Sequence, residues 1–125
     1  MAESKYSDQK SLEDIIENCN MIYKHIERLG VTRITMLTDY TCLDAVSKRI
    51  ENIGEIVYER LSEHFKDSQD EIDWHMISGM RHRLVHHYHD TKWDIVVDVA
   101  FDEIPKLRDF CITALQNLLT TNKSE

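Results

Sequence analysis

Leu12, Ile15, Ile16, Cys19, Ile22, Tyr23, Ile26 and Leu29 recur at spacings of three and four residues. Only an α-helix gathers such a set onto one face, because successive residues turn by about 100°. A second stripe follows in Leu43, Val46, Ile50, Ile53, Val57 and Leu61, and another in Val96, Val97, Ala100, Ile104, Leu107, Cys111, Ala114 and Leu118. With one proline and three glycines in 125 residues, the chain has little of the material that makes turns or bounds strands. The expectation is all-α: an up-and-down antiparallel bundle of four to five helices, forming a single domain over residues 1–125. A chain of this length buries one core and is too short for two ordinary ones.

The boundaries follow from capping chemistry. Ser11 with Asp14 suits the start of the first helix and Gly30 its stop. VTRITMLTD is β-branched and short, and with no second such run to pair with it reads as a connection. The second helix is expected from Thr38 or Asp39 to about Phe65, interrupted by Gly54. A mid-helix glycine costs about 1 kcal/mol relative to alanine, so Gly54 predicts a close approach by another helix or side chain. Lys66 to Asp73 is polar and acidic and reads as a solvated loop. The third helix should run from about Asp73 to His87, with Trp74, Ile77, Met80, Leu84 and Val85 as core contacts. The fourth should start near Thr91, paired with Asp94, and bend or break near Phe101, where Pro105 removes a backbone donor. Residues 1–10 and 120–125 are expected to fray.

Cys19, Cys42 and Cys111 are odd in number, far apart and never in a Cys-x-x-Cys pair, so they signal neither a disulfide framework nor a zinc knuckle. They fit a reducing compartment. The start, MAESKYSDQK, is polar, and no window of eighteen apolar residues occurs, so nothing marks secretion or membrane insertion and a cytoplasmic location is expected. A net charge of −8 argues against gripping long nucleic acid by phosphate neutralisation alone. The charge is uneven, however: Arg81, Arg83 and Lys92 against Asp90 give +2 between Met80 and Lys92, leaving −10 for the rest. A locally cationic site on an acidic body suits contact with a few phosphates.

That site is GMRHRLVHHYHD, from Gly79 to Asp90, which packs two arginines, four histidines and a tyrosine into twelve residues. Metal-free cleavage of an RNA phosphodiester needs a base for the 2′-hydroxyl proton, an acid for the departing 5′ oxygen and a cation for the phosphoryl oxygens. Histidine serves the first two tasks near neutral pH, and arginine the third, since its guanidinium is always charged and can offer two donors to one phosphate. Arg81, His82 and His86 supply this set. On a continuous helix, though, His86 lies about 140° around from Arg81. Convergence then needs the long arginine reach, a helix end or a second copy of the chain, and a homodimer with two motifs across a cleft is the favoured arrangement.

Arg81-His82-Arg83-Leu84-Val85-His86-His87-Tyr88 resembles the Arg-polar-x-x-x-His-x-Tyr signature of the HEPN superfamily, specifically its HepT-like toxin ribonucleases. The likeness extends through KRIENIGEIVYERLSEHF, Trp74, ISGMRHRLVHHY and WDIVVDVAFDEIPKL, covering about Tyr40 to Leu107. The resemblance implies an all-α homodimer that cleaves RNA without metal or cofactor, as the toxin of a toxin–antitoxin pair. It also implies a minimal nucleotidyltransferase antitoxin as partner, which in some pairs transfers AMP to the motif tyrosine. Carried over, Arg81 and His86 form the catalytic pair, His82 takes the polar supporting position and Tyr88 is the AMP acceptor. Glu55 and Arg83 stand behind them, Glu55 as a partner for Arg81 or another base. Two departures stand out: His82 where asparagine is commonest, and His89-Asp90 where Phe-Gly is common.

Blander roles compete with each assignment. Without the family pattern, Arg81 and His86 would read as a pair holding helices together, Tyr88 as an interface aromatic and Glu55 as a solvated carboxylate. Two other functions compete as well. His75, His82, His86 and His89 would lie within about 60° on one helical face, a spacing that can chelate zinc or nickel. Against that, no glutamate follows the first histidine as in zinc proteases, and ligands ordinarily come from more than one helix. The other alternative is a non-catalytic partner of a nucleotidyltransferase that binds nucleotide or RNA through Arg81 and Arg83.

Overall fold

The computed structural model describes the backbone of residues 7–124 and the side chains of residues 7–121. Four long helices, α1 (Asp8–Leu29), α3 (Tyr40–Glu59), α5 (Trp74–His86) and α7 (Ile104–Ser124), are joined through the short helices α2 (Arg33–Met36), α4 (Glu63–Asp67) and α6 (Trp93–Asp98). No strand occurs among the described residues. Cross-links between helices give their directions. Asp8, at the start of α1, accepts from the backbone N–H and hydroxyl of Ser62, just past α3, at 2.9 and 2.7 Å, and Asp14 takes Arg60 at 2.6 Å. α1 and α3 are therefore antiparallel. On its other side α1 meets α7, where Arg108 donates to Asn20 at 2.6 Å and its guanidinium lies 5.7 Å over the Tyr23 ring. α5 packs against the far side of α3, so the order across the bundle is α7, α1, α3, α5.

The stripes read from the sequence form the core or pack against it, except Leu29 at the end of α1, which is exposed. Leu12, Ile15, Cys19 and Ile22 of α1, Leu43, Val46 and Val57 of α3, and Val96 of α6 are fully buried, and burial of a large aliphatic side chain contributes about 1.5–3 kcal/mol. Gly30 stops α1 as expected: it adopts φ 65°, where glycine carries no Cβ penalty, and its N–H reaches the Glu27 carbonyl at 3.1 Å.

Several boundaries differ. α1 begins a turn early, because Ser7, not Ser11, is the cap: its hydroxyl accepts from Lys10 N at 3.0 Å. Ser11 is fully buried and donates to the Ser7 carbonyl. Asp8–Lys10 are thus helical rather than frayed, tied down by the Asp8–Ser62 bonds, while residues 1–6 lie outside the described residues. At the other end, residues 120–124 continue α7, and Glu125 is not described. The segment read as a plain connection contains α2, nucleated by a reciprocal Thr32–Thr35 cap and anchored by fully buried Met36. The second helix stops at Glu59, not Phe65, because Ser62 turns extended and caps α4 through Phe65 N at 3.1 Å. That break swings Phe65 inward against Trp74 and Phe110, with ring centroids 5.7–6.3 Å apart, closing this end of the bundle. Of the Lys66 to Asp73 segment read as a loop, Lys66 and Asp67 belong to α4 and residues 68–73 lie outside the helices.

α5 starts on Asp73, as expected, with Met76 N donating to its carboxylate at 3.0 Å. Val85, expected in the core, is 42% exposed, because α5 buries only the Ile77, Met80 and Leu84 side. Thr91 does not cap α6. It is buried and donates to the His87 carbonyl at 3.0 Å, leaving Lys92 before the helix without a side-chain cap. Pro105 disturbs the last helix around Phe101, as expected, but does not break it. With no N–H to offer the Phe101 carbonyl, the chain widens into a π-helical turn at Val99–Glu103 and continues as α7. Arg33 of α2 braces that turn by pairing with Asp98 at 2.8 Å and with Asp102, its guanidinium over Phe101.

All three cysteines are buried free thiols. Burial pushes the Cys19 thiol up to about 12, and pushes Cys42 and Cys111 upward too. A thiol is reactive as its thiolate, so native protein at mildly alkaline pH should leave a colorimetric thiol reagent unreacted. The same titration in denaturant should release three thiols; labelling of the native protein would contradict this packing. No helix among the described residues is long and apolar enough to cross a membrane.

Candidate active site

The site is set by how α5 lies on α3. A Cβ built on Gly54 would sit 2.4 Å from Arg81 Cβ and 2.9 Å from the Ile77 carbonyl oxygen, so the α5 backbone rests directly on Gly54. This is the close approach predicted for that glycine. The seat places the Arg81 side chain beside the next residue of α3, and Arg81 Nε meets Glu55 Oε2 at 2.6 Å. Glu55 is thus a partner of Arg81 rather than a freely solvated carboxylate. This ion pair engages the guanidinium at its inner edge, and its two terminal nitrogens make no hydrogen bond among the described residues.

His82 and His86, one turn apart, share the exposed face of α5 with ring centroids 4.7 Å apart, and the His87 ring lies 5.9 Å from His82. Arg83 is exposed and forms no ion pair among the described residues. The structure therefore joins Arg81 to Glu55 and His82 to His86. No hydrogen bond joins Arg81 to His86, in line with their separation of about 140° around the helix. α5 ends at His86, and His89 lies in a separate 3₁₀ turn, Tyr88–Asp90. The four histidines that helical spacing would align thus do not share one helix. No group of three or more His, Cys, Asp or Glu among the described residues is arranged to hold a metal ion.

Tyr88 opens the 3₁₀ turn, which is closed by Asp90 N bonding to the His87 carbonyl at 3.0 Å and Thr91 N bonding to the Tyr88 carbonyl at 3.2 Å. Its hydroxyl donates to Asp44 Oδ1, and its ring packs edge-on against Trp93 at 5.4 Å. Desolvation, then the Asp44 hydrogen bond and the Asp44 charge, push the phenol up to about 12. Asp44 and Trp93 were not legible as site residues. Asp44 is one of 23 acidic residues, and what singles it out is the antiparallel register: with Gly54 facing Ile77 and Arg81, the N-terminal half of α3 faces the residues that follow α5.

This contact has a titration signature. The folded-state value lies above the ordinary phenol value of about 10, so the stability it contributes is full below that value and is lost as pH rises toward about 12. Phenolate absorbance, taken as the difference between the parent and Tyr88→Phe, should show a midpoint near 12. Asp44→Asn should move it down. A midpoint at the ordinary phenol value in the parent would show that Asp44 does not hold Tyr88.

Beside Arg81 and His82 a cleft of about 670 Å³ opens between α3, α4 and the first turns of α5. A site with these parts can hold a phosphate on the free edge of a guanidinium and exchange protons through an exposed imidazole pair.

Comparison with known proteins gives the family. The family model described as "Ribonuclease HepT-like" matches residues 12–114. The chain is 28% identical over 96 residues to a "Putative RNase" of Caldanaerobacter subterraneus subsp. tengcongensis, covering 77% of this chain and 83% of the relative. It is 30% identical over 94 residues to a "Putative RNase" of Methanocaldococcus jannaschii, covering 75% of each. No solved structure matches the chain.

Proposed function

Because the chain belongs to the HepT-like ribonuclease family, we propose that it is a metal-independent endoribonuclease acting as the toxin of a toxin–antitoxin pair. The observation that carries the reading is the guanidinium of Arg81, held at Nε by Glu55, one residue along α5 from the His82–His86 ring pair. In this mechanism the terminal nitrogens of Arg81 bind the phosphoryl oxygens and stabilise the charge that grows on them. His86 is the principal acid/base, and His82, against its ring, orients it or shares the proton transfers. The 2′ oxygen attacks phosphorus, the 5′ oxygen leaves with a proton, and the products are a 2′,3′-cyclic phosphate and a 5′-hydroxyl.

Arg81 and His86 look away from each other on one helix, so we place the complete site at a homodimer interface, where the arginine of one copy and the histidine of the other flank a single phosphate. The antitoxin partner in this reading is a minimal nucleotidyltransferase, with Tyr88 as the AMP acceptor. Support for that role comes from the Tyr88 hydroxyl's bond to Asp44 at the edge of the site.

The test is cleavage of RNA by the purified protein in EDTA, with the product ends identified. Cleavage that survives chelation and leaves cyclic phosphate ends is expected. A 3′-hydroxyl would rule out 2′ attack, and activity abolished by EDTA would return the histidines to a metal role. No cleavage by protein shown by mass spectrometry to carry no AMP on Tyr88 would favour the non-catalytic binding module.

A further inference from the structure

Gly79 has no structural reason to be glycine. It lies within α5, where glycine weakens a helix relative to alanine, yet a Cβ built on it meets nothing within 4 Å. Gly54 is required by contact with another helix, whereas Gly79 faces open space and forms part of the floor of the 670 Å³ cleft beside Arg81 and His82. One wall of that cleft is Tyr58, a large aromatic left 62% exposed.

The polar groups around the cleft define what it can take. The Lys66 amine is occupied by the Val57 carbonyl at 2.8 Å and by Glu63 at 3.0 Å. Glu63 and Asp67 add negative charge to the rim. The body of the cleft is therefore poor for a phosphate. Ser78 donates to the Trp74 carbonyl at 3.0 Å and keeps its lone pairs, and His75 is exposed beside it. An exposed ring, the Ser78 hydroxyl and a bare stretch of helix backbone suit a flat, uncharged heterocycle, with Arg81 at the edge for an attached phosphate. The volume lies within the range of about 300–1,000 Å³ found for small-molecule sites.

We propose that this cleft is a nucleobase subsite: one unpaired base of single-stranded RNA stacks on Tyr58 and lies over the Gly79 backbone, while its phosphate reaches Arg81 and His82. The proposal rests on the ribonuclease reading and adds where the substrate is held. It makes the substrate single-stranded at that position, because a base paired in a duplex cannot enter the cleft.

The experiment is fluorescence anisotropy of a short labelled oligouridylate and of an abasic strand of the same length, titrated with His86→Ala protein so that the RNA stays intact. In that background Tyr58→Ala should weaken oligouridylate binding about five- to 150-fold, the range for loss of one stacked base, and should leave the abasic strand's affinity unchanged. Tyr58→Phe should restore binding, and Gly79→Leu, which fills the cleft from an open position, should weaken it without lowering the thermal midpoint. Equal affinity of the Tyr58→Ala and parent proteins for oligouridylate would overturn the subsite while leaving cleavage by the wild type intact. A changed oligomeric mass with unchanged RNA affinity would also overturn it, making the cleft a contact between copies. Absence of both RNA binding and wild-type cleavage would instead sink the ribonuclease reading, and the subsite with it.

Discussion

His86→Ala is expected to lower RNA cleavage about 10²- to 10⁴-fold, the usual contribution of a positioned general acid or base, with little change in stability. The imidazole is exposed in the last turn of α5, with the His82 ring one turn away as its aromatic neighbour among the described residues, so its removal leaves no cavity and no buried polar group. That separation of effects makes His86 a cleaner probe than Arg81. Arg81→Ala would also strip Glu55 of its partner at 2.6 Å, and it removes a side chain lying along the α3 contact, so lost activity there would mix chemistry with packing. Single-turnover cleavage, with circular dichroism melting of both proteins, is the measurement. A variant that still cleaves at the parental rate would remove His86 from the mechanism and favour the binding module.

Gly54→Ala is expected to destabilise the protein by about 1–3 kcal/mol, the typical cost of forcing an extra methyl into a packed contact, although alanine favours a helix by about 1 kcal/mol. Packing wins because the new carbon would meet Arg81 Cβ at 2.4 Å and the Ile77 carbonyl at 2.9 Å, atoms on or next to the α5 backbone that no side-chain rotation can move. The helices must separate, which also draws Arg81 away from Glu55, so cleavage should fall with stability. Gly79→Ala is the internal control. With nothing within 4 Å of its Cβ position, it should show the opposite sign and stabilise by up to about 1 kcal/mol. Chemical denaturation of both variants decides the matter. A Gly54→Ala protein as stable as the parent would mean that α5 does not rest on that glycine.

The two glycines show how far the chain could be read. That Gly54 marks a close approach followed from the cost of glycine inside a strong apolar stripe; that the approaching residues are Ile77 and Arg81 did not, because it depends on the register of α5 along α3. The motif from Arg81 to Tyr88 was visible as a local departure in composition. Its supports were less so. Glu55 could be guessed as a basic residue's partner, but Asp44, which holds the Tyr88 hydroxyl, is a helical carboxylate with no local mark.

Boundaries behaved in the same way. Asp73 and Gly30 cap as read, since their signals are complete within a few residues. The cap at Ser7 and the break at Ser62 are held in part by the bonds between Asp8 and Ser62, whose partners lie 54 residues apart in sequence. Thr91 was read as a cap because its spacing to Asp94 permits one, yet burial beside the end of α5 turned its hydroxyl to the His87 carbonyl instead.

By itself the sequence determined the all-α class, the apolar face of each long helix and the place of the stretch richest in arginine and histidine. These depend on periodicity and composition, which act over one or two turns. The tertiary structure decided which carboxylate holds Arg81, which one holds Tyr88, and that a cleft with Tyr58 as its wall opens beside them. Those outcomes depend on helix register, and register is set by the collective fit of the whole α1, α3 and α5 interface, where a shift of one residue turns a helix by about 100° and carries every side chain to a different neighbour.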